Sequence, residues 1–326
     1  MMPHRRSIAR AFCATLALGA FAAPACAQDT WPNRLVRVVV PYAPGGSADT
    51  LGRLISRHLS ETFKQSFVVE NRGGAGGVIG SQMVARAEPD GYTLVVSGIG
   101  SHVVAPLTNA SSFDPIKDFT HIALLGGPPT VLAVNVAQPI KDVPGFIKHV
   151  KSLPEGLSWA SPGQGTHGAL IGEAFRQVTH LNLVHISYKG AGPAVADVAA
   201  NQVPAAFITL STAAGNIKSG KLRPLAVTSA QRIVDFPDIP TFKELGYPQL
   251  TGTTWFSLSG PAGMPADLVQ KLNVAVRKAL QSPEGQAELR AQNMETFDWD
   301  APTFNDFVKK EIAHWSPYIK QSQATK

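Results

Sequence analysis

Two glycine-rich turns of the same design are the segments of this sequence most suited to binding a ligand. Turn 1 covers residues 41–49 (PYAPGGSAD) and turn 2 covers residues 161–168 (SPGQGTHG). Each turn is predicted to join a buried strand to a helix, because an apolar run precedes it and apolar residues recur behind it at helical spacing. The first N–H groups of a helix have no intrahelical partner and carry the positive end of its dipole. Two such turns facing each other predict a site that grips an anion.

Short apolar runs typical of strands alternate along the chain with segments of helical spacing. This alternation predicts a parallel sheet with helices on its faces, which would hold the two turns in place. The pattern restarts after Gly126-Gly127-Pro128-Pro129, so a chain of 326 residues is expected to form two domains. The predicted strands cover residues 35–40, 67–70, 92–97, 131–134, 157–160, 184–186, 205–209, 225–229 and 254–258. The predicted helices cover residues 48–63, 78–87, 143–152, 166–178, 191–200, 266–281 and 284–292. A final helix has an apolar stripe, expected to pack on the first domain, made of Phe304, Phe307, Val308, Ile312, Trp315 and Ile319.

The N-terminus reads as a secretory signal peptide. Three arginines precede an apolar run at residues 11–23, and Ala25-Cys26-Ala27 follows, which predicts cleavage before Gln28. The run is shorter than the roughly 20 residues that span a bilayer, so a membrane anchor is disfavoured. Lipidation of Cys26 stays open as a minor alternative. Both cysteines, Cys13 and Cys26, precede the cleavage point, so the mature chain is expected to have no disulfide, catalytic thiol or cysteine-ligated metal.

The charge of the chain gives little support to a nucleic-acid partner. The formal net charge is +6, and removal of Arg5, Arg6 and Arg10 leaves about +3 on the mature chain. The basic residues are dispersed, without a run of lysines and arginines or interleaved aromatic residues. No later segment is apolar for the length of a membrane helix, so a soluble protein of the periplasm is expected.

Two nucleotide-binding motifs are matched only in part. Gly163, Gly165 and Gly168 fit a dinucleotide-binding fingerprint, but residues 181–188 contain no acidic residue for the ribose. Residues 215–222 (GNIKSGKL) approach a phosphate-binding P-loop, but its hydroxyl position is a leucine. We therefore interpret Gly220 as the end of a helix and expect no cofactor.

Three further features lie near the predicted anion site. A third glycine-rich connection, residues 71–77, either lines the cleft or is a structural turn. His167 lies in the first turn of its helix, and a ligand contact and a helix-terminal polar residue are equally good interpretations. Tyr188 follows a strand at the edge where open α/β sheets bind ligands. The nine histidines form no metal-binding motif, so no metal is expected.

These residues carry a family resemblance. The chain resembles the Bug family, the TctC-like periplasmic solute-binding proteins of tripartite tricarboxylate transporters, over essentially the whole mature sequence. The motifs that carry the resemblance are Trp31-Pro32, residues 40–46 with Asp49, residues 69–72 with their glycines, residues 89–94, Tyr188-Lys189-Gly190, residues 220–223 leading to Thr228-Ser229, and Trp255-Phe256.

The resemblance implies a two-lobed, type II-like "Venus flytrap" fold with two crossing hinge strands and a carboxylate held between the lobes. Residues 28–128 with 229–326 would form lobe 1, and residues 129–228 lobe 2. Asp49 would cap and orient its helix, since a free carboxylate would repel an anion. The contacts expected by position are Tyr42, Gly46, Ser47 and Ala48 in one lobe and Ser161, Gly165, Thr166 and His167 in the other, with Ser97 and Tyr188 as second choices.

The resemblance also implies a function without catalysis: capture of a small organic carboxylate and its delivery, by a monomer, to membrane transporter subunits. Two departures from the family pattern matter. Ile208 stands where relatives have an acidic residue, which disfavours an amino-acid ligand, and Ala105 stands where relatives often have asparagine. A sensor that signals to a membrane receptor and a secreted α/β hydrolase remain alternatives, although no recognisable catalytic set supports the hydrolase.

Overall fold

Ten strands form two five-stranded sheets in the part of the chain that the structure, a computed structural model, describes. That part is residues 31–108 and 113–324, with side chains described as far as residue 321. The predicted signal peptide, residues 1–27, lies outside it. Both sheets lie within one compact unit, which begins at Arg34.

The strands agree closely with the predicted pattern, with one addition at residues 119–126. They are β1 (Val36–Val40), β2 (Phe67–Asn71), β3 (Thr93–Gly98), β4 (Phe119–Gly126), β5 (Thr130–Asn135), β6 (Leu157–Ser161), β7 (Leu183–Ser187), β8 (Ala205–Thr209), β9 (Leu222–Val227) and β10 (Phe256–Pro261). The helices are α1 (Ser47–Phe63), α2 (Val78–Ala85), α3 (Ala105–Thr108), α4 (Val143–Lys151), α5 (His167–Thr179), α6 (Ala191–Ala199), α7 (Leu210–Lys218), α8 (Ala266–Gln281), α9 (Pro283–Ala291) and α10 (Ala301–Ala324). Short helical turns occupy Ala75–Gly77, Gly100–Val104 and Pro248–Leu250.

The two sheets repeat one strand order. The first sheet runs β2-β1-β3-β10-β4 and the second runs β7-β6-β8-β5-β9, so β1 and β6, which lead into turns 1 and 2, hold corresponding places. Both are parallel to their neighbours on either side. The parallel pairing predicted from the sequence holds for β1 and β6, whereas β10 and β5 run antiparallel to their neighbours. The strand β5 follows β4 of the other sheet after three residues, and the segment from β9 into β10 contains no α-helix, so neither strand has the helical crossover that a parallel pair requires.

Two chain segments cross between the sheets. The first joins β4 to β5 through residues 127–129, and the second leads from β9 into β10. Pro129 and Thr253 form an antiparallel bridge at the crossing, and the N–H of Thr254 donates to the carbonyl of Pro128 at 3.0 Å. A Cβ on Gly127 would lie 1.7 Å from the carbonyl oxygen of Thr254, so only glycine allows the segments to approach this closely. The lobe boundaries expected from the sequence remain a prediction.

The sequence analysis missed the strand β4 and correctly predicted that a helix ends at Gly220. The strand β4 ends at Gly126 and is followed by Gly127, Pro128 and Pro129, so the sequence around its end resembles a break and the apolar run before it was not recognised as a strand. The interpretation of Gly220 as a helix end is confirmed, because it follows α7 with φ +71° and its N–H donates to the carbonyl of Ile217. No helix in the described ranges is both long and apolar enough to cross a membrane.

The apolar stripe of α10 packs on both lobes rather than on the first alone. At its N-terminal end Phe304 meets the ring of His121 on β4, with ring centroids 5.6 Å apart. Further along, Trp315 meets the ring of His167 on α5 at 5.9 Å. A helix of 24 residues is about 36 Å long, which is enough to reach both. The prediction was therefore correct for the first half of the helix and incomplete for the second.

The close packing of α5 on β6 generates a stability prediction. A Cβ on Gly172 would lie 2.2 Å from two ring carbons of the fully buried Trp159, so Gly172→Ala should overpack the second lobe. We expect the free energy of unfolding in urea to fall by about 1–3 kcal/mol. The matched control is Gly215→Ala in α7, where a Cβ meets nothing within 4 Å and should gain about 0.5–1 kcal/mol. Equal stability of the two variants would contradict this packing.

Three histidines are buried within the fold. Burial lowers the pKa of His121 to about 4 and the pKa of His167 to about 3. Burial, followed by the charge of His121, also holds the pKa of His102 well below its usual value. The folded protein therefore keeps all three rings neutral through the mildly acidic range.

The buried histidines predict a loss of stability in mild acid. Below about pH 6.5 the unfolded chain takes up protons that these rings do not accept, so the free energy of unfolding should fall as the pH falls towards 4. Each histidine contributes up to about 1.4 kcal/mol per pH unit. Urea unfolding across this range should show a smaller slope for His121→Gln than for the wild type. Burial raises the pKa of Glu311 and acts in the opposite direction, so only this comparison isolates the histidine. Identical slopes would contradict the prediction.

Candidate functional site

Turn 1 is held by a buried carboxylate. Asp49 accepts hydrogen bonds from the N–H of Gly45 (3.0 Å), from Arg53 Nε (3.0 Å) and from Asn71 Nδ2 (3.0 Å). Burial alone would raise the pKa of Asp49, but these bonds outweigh it and lower the pKa. The carboxylate is thus ionised, buried and fully engaged.

The N-terminus of α1 is left open by this arrangement. Its N-cap is Gly46, and no described side chain caps the helix. The expected capping role of Asp49 therefore takes a different form, since the carboxylate binds the N–H of Gly45, which precedes the N-cap, and so braces the turn. The first N–H groups of the helix, which include those of Ser47 and Ala48, have no intrahelical partner. Turn 1 presents backbone donors and the positive end of a helix dipole.

Tyr42 belongs to turn 1, the part of the candidate site that the first lobe supplies. Burial raises the pKa of its phenol, and hydrogen bonds with the side chain and backbone of Ser101 lower it in part. The ring stands edge-on to Phe256 at 6.3 Å. The third glycine-rich connection packs beside it, because a Cβ on Gly77 would lie 3.3 Å from the Tyr42 hydroxyl. Ser101 in turn hydrogen-bonds His102 Nδ1 at 3.1 Å, which fixes the hydroxyl that faces the tyrosine.

Turn 2 is braced by hydroxyl groups. The hydroxyl of Thr166, the N-cap of α5, donates to the carbonyl of Gly163 at 2.7 Å and accepts from the N–H of Ala169 at 3.3 Å. The hydroxyl of Ser161 accepts from the N–H of Gly163 and lies 2.7 Å from His185 Nε2. Both side chains are therefore engaged within the turn, as Asp49 is in turn 1. What the turn presents outwards is backbone.

The two turns meet beside Gly100. The Tyr42 hydroxyl and the carbonyl oxygen of Gly165 lie 3.0 Å and 3.1 Å from the position that a Cβ would take on Gly100. A Cβ on Gly165 would in turn lie 3.8 Å from the Cα of Gly76, so the third glycine-rich connection also reaches turn 2. The structure thus brings Tyr42 and Gly165 together from opposite lobes, in a closed arrangement.

Three of the expected contact residues direct their side chains elsewhere. Ser97 hydrogen-bonds Ser257 (2.6 Å) and Ser259 (2.9 Å) inside the first sheet. The Tyr188 hydroxyl donates to Asp197 at 2.6 Å, and this bond raises the pKa of Tyr188 to about 12.

His167 is the third. Its ring is buried, and Nδ1 faces Thr130 and Thr254.

Gly76, Gly100 and Ser101 were missed as site residues. A signal for two of them exists in the sequence, since Gly98-Ile99-Gly100-Ser101 is a glycine-serine turn directly after the buried strand β3. Because β3 is parallel to β1, its carboxyl end lies at the same sheet edge as turn 1. Gly76 lies in the connection that the sequence left open between a cleft-lining and a structural role.

The arrangement suits an anion rather than a metal ion. Each turn leads into a helix N-terminus, the Tyr42 hydroxyl and the Gly165 carbonyl lie beside the same glycine, and the carboxylate of turn 1 is already paired with Arg53. The described residues contain no group of three or more His, Cys, Asp or Glu side chains that could hold a metal ion.

Comparison with known proteins agrees with the architecture. The model of the tripartite tricarboxylate transporter family receptor matches residues 51–323. Protein BugT of Bordetella pertussis (strain Tohama I) is 32% identical over 311 residues, 95% of each chain.

Two solved structures are similar to this chain along most of its length. The R. palustris protein Rpa4515 with adipate has a TM-score of 0.81 at 33% identity, covering 89% of this chain and 97% of that one. MatC (Rpa3494) from Rhodopseudomonas palustris with bound malate has a TM-score of 0.80 at 31% identity, covering 88% and 99%. These matches confirm the two-lobed fold expected from the sequence. The protein therefore belongs to the tripartite tricarboxylate transporter receptor (TctC) family, the solute-binding proteins that its motifs resemble, and it is not an enzyme.

Proposed function

We propose that this protein captures a small organic carboxylate between turn 1 and turn 2. The observation that carries the proposal is the meeting of the two turns at Gly100, where Tyr42 and Gly165 approach from opposite lobes. An anion held between the N-termini of α1 and α5, which follow these two turns, would receive backbone donors from both lobes, so binding favours closure of the lobes around it. Among the related structures, Rpa4515 holds adipate and MatC holds malate, both of them dicarboxylates.

The proposed contacts are mainly backbone groups. In turn 1 they are the N–H groups of Gly46, Ser47 and Ala48, with the hydroxyl of Tyr42. In turn 2 they are the backbone of Gly165, Thr166 and His167, while Ser161 and Thr166 hold the turn through their hydroxyls. Two helix N-termini suit two carboxylates, so a dicarboxylate is the first choice of ligand.

We also propose where the protein works. The predicted signal peptide and the family's description as a transporter receptor support export to the periplasm and delivery of the ligand to membrane transporter subunits.

A ligand screen tests the proposed binding. Malate and adipate are compared with their neutral diamides, which keep the chain length and remove the charge. A ligand present at about 100 times its dissociation constant should add about 2.7 kcal/mol to the free energy of unfolding, seen as a rise in Tm. Stabilisation by a dicarboxylate and not by its diamide is expected. A rise in Tm with a diamide alone would contradict an anion site.

A substitution at Gly100 tests where the ligand lies. In Gly100→Ala the added methyl group would lie 3.0 Å from the Tyr42 hydroxyl and 3.1 Å from the Gly165 carbonyl, which obstructs the closed arrangement. Overpacking of about 1–3 kcal/mol should weaken binding of the screened dicarboxylate about 5- to 150-fold, measured by calorimetry. Gly215→Ala, whose Cβ has open space, should bind as the wild type does. Wild-type affinity in Gly100→Ala would place the ligand elsewhere.

A further inference from the structure

The ring of His167 lies under the crossing segments although its backbone belongs to turn 2. It is the first residue of α5, directly after the N-cap Thr166, yet its side chain is 2% exposed. Nδ1 lies 3.0 Å from Thr130 Oγ1 and 3.1 Å from Thr254 Oγ1. One nitrogen thus meets a hydroxyl from each crossing segment.

The two threonines belong to different lobes. Thr130 begins β5 in the second sheet, which is the lobe of α5 itself. Thr254 lies two residues before β10 of the first sheet, and its N–H donates to the carbonyl of Pro128 at the crossing. The bond to Thr130 is therefore internal to the second lobe, whereas the bond to Thr254 reaches towards the first.

The helix α10 reinforces the contact with the first lobe. The indole of Trp315 stands edge-on to the His167 ring, at 5.9 Å and 81°. Trp315 Nε1 and Trp255 Nε1 both donate to Oε2 of Glu311, at 3.2 Å and 2.8 Å. Trp255 directly follows Thr254, so the ring packs against a segment that is itself fixed to α10.

The Nδ1 atom of His167 cannot form a full hydrogen bond with both threonine hydroxyls at once. A neutral imidazole has one hydrogen or one lone pair at Nδ1, so the bonds to Thr130 and Thr254 share it. Within the described residues Nε2 is buried and has no hydrogen-bond partner, so it contributes no second bond. If the lobes separate, Nδ1 loses Thr254 and keeps Thr130. The ring then stays satisfied at that atom, and opening costs less than a full hydrogen bond.

We propose that His167 is a positioning residue, a reversible latch that ties turn 2 to the segment entering the first sheet. With the lobes closed, Nδ1 contacts both Thr254 and Thr130, and with the lobes open it keeps only Thr130. The helix that carries turn 2 is therefore held where turn 1 can meet it. The proposal rests on the proposed function only in taking the closed arrangement as the one that holds ligand.

The first test separates the two hydroxyls. Thr254→Val and Thr130→Val keep the side-chain shape and each remove one partner of Nδ1. Hydrogen–deuterium exchange of the ligand-free protein reports opening at the Thr254 amide, which is bonded to Pro128. We expect Thr254→Val to speed this exchange about two- to fivefold, less than for the loss of a whole hydrogen bond because Nδ1 keeps Thr130, and Thr130→Val to leave it unchanged. Equal effects of the two substitutions would overturn the latch.

The second test replaces the histidine. His167→Asn and His167→Leu both remove the ring, but only asparagine can bond the threonines. The radius of gyration from small-angle scattering should rise in His167→Leu and return towards the wild-type value in His167→Asn. His149→Leu on α4 is the control and should not change it. If leucine and asparagine behave alike, His167 is only a packing residue.

Both the exchange and the scattering experiment use the ligand-free protein. Failure of every carboxylate to bind would therefore overturn the proposed function, while these two experiments would still decide whether His167 acts as a latch. If His167→Leu does not fold, the two threonine variants still decide the outcome.

Discussion

The structure depends on two backbone segments crossing without room for a side chain between them. Gly127 packs against the carbonyl of Thr254, and its own N–H and carbonyl pair with Glu295 at 2.9 Å and 3.0 Å. Gly126 takes φ +102°, a conformation that side chains other than glycine's rarely allow. Pro128 and Pro129, both buried, hold the next two residues extended. These residues let β4 continue into β5 of the other sheet.

The crossing explains how one site can be assembled from two lobes. Because each sheet receives an antiparallel strand from the other, β1 and β6 occupy corresponding central places and deliver turn 1 and turn 2 at related positions. Hydrogen-bonded side chains then stabilise each turn: the buried Asp49 and the half-buried Asn71 in turn 1, the buried Ser161 and the half-buried Thr166 in turn 2. The side chains position the backbone, and the backbone is left to meet a ligand.

Much of the fold and part of the site could be predicted from the sequence, for local reasons. Strands and helices show in apolar periodicity over a few residues, and glycine marks the turns where helices begin. Tyr42 and Gly165, which the structure brings together beside Gly100, could be selected from the sequence because they lie on those junctions. β4 was missed because the glycines and prolines at residues 126–129 read locally as a break. The strands β5 and β10 were predicted, but their antiparallel direction was not, because strand direction depends on which sheet a segment joins.

The amino-acid sequence alone was enough to predict the two strand-to-helix turns, the glycines that shape them and the helices that begin after them. The directions of the side chains and their hydrogen-bond partners depend on the tertiary structure. Ser97 faces Ser257, 160 positions away, and His167 faces Thr254, 87 positions away. Hydrogen-bond partners at such separations leave no periodic pattern in the chain, because they meet only when the two sheets form and cross. The same crossing places the ring of His167 against Thr130 and Thr254, while its backbone stays in turn 2.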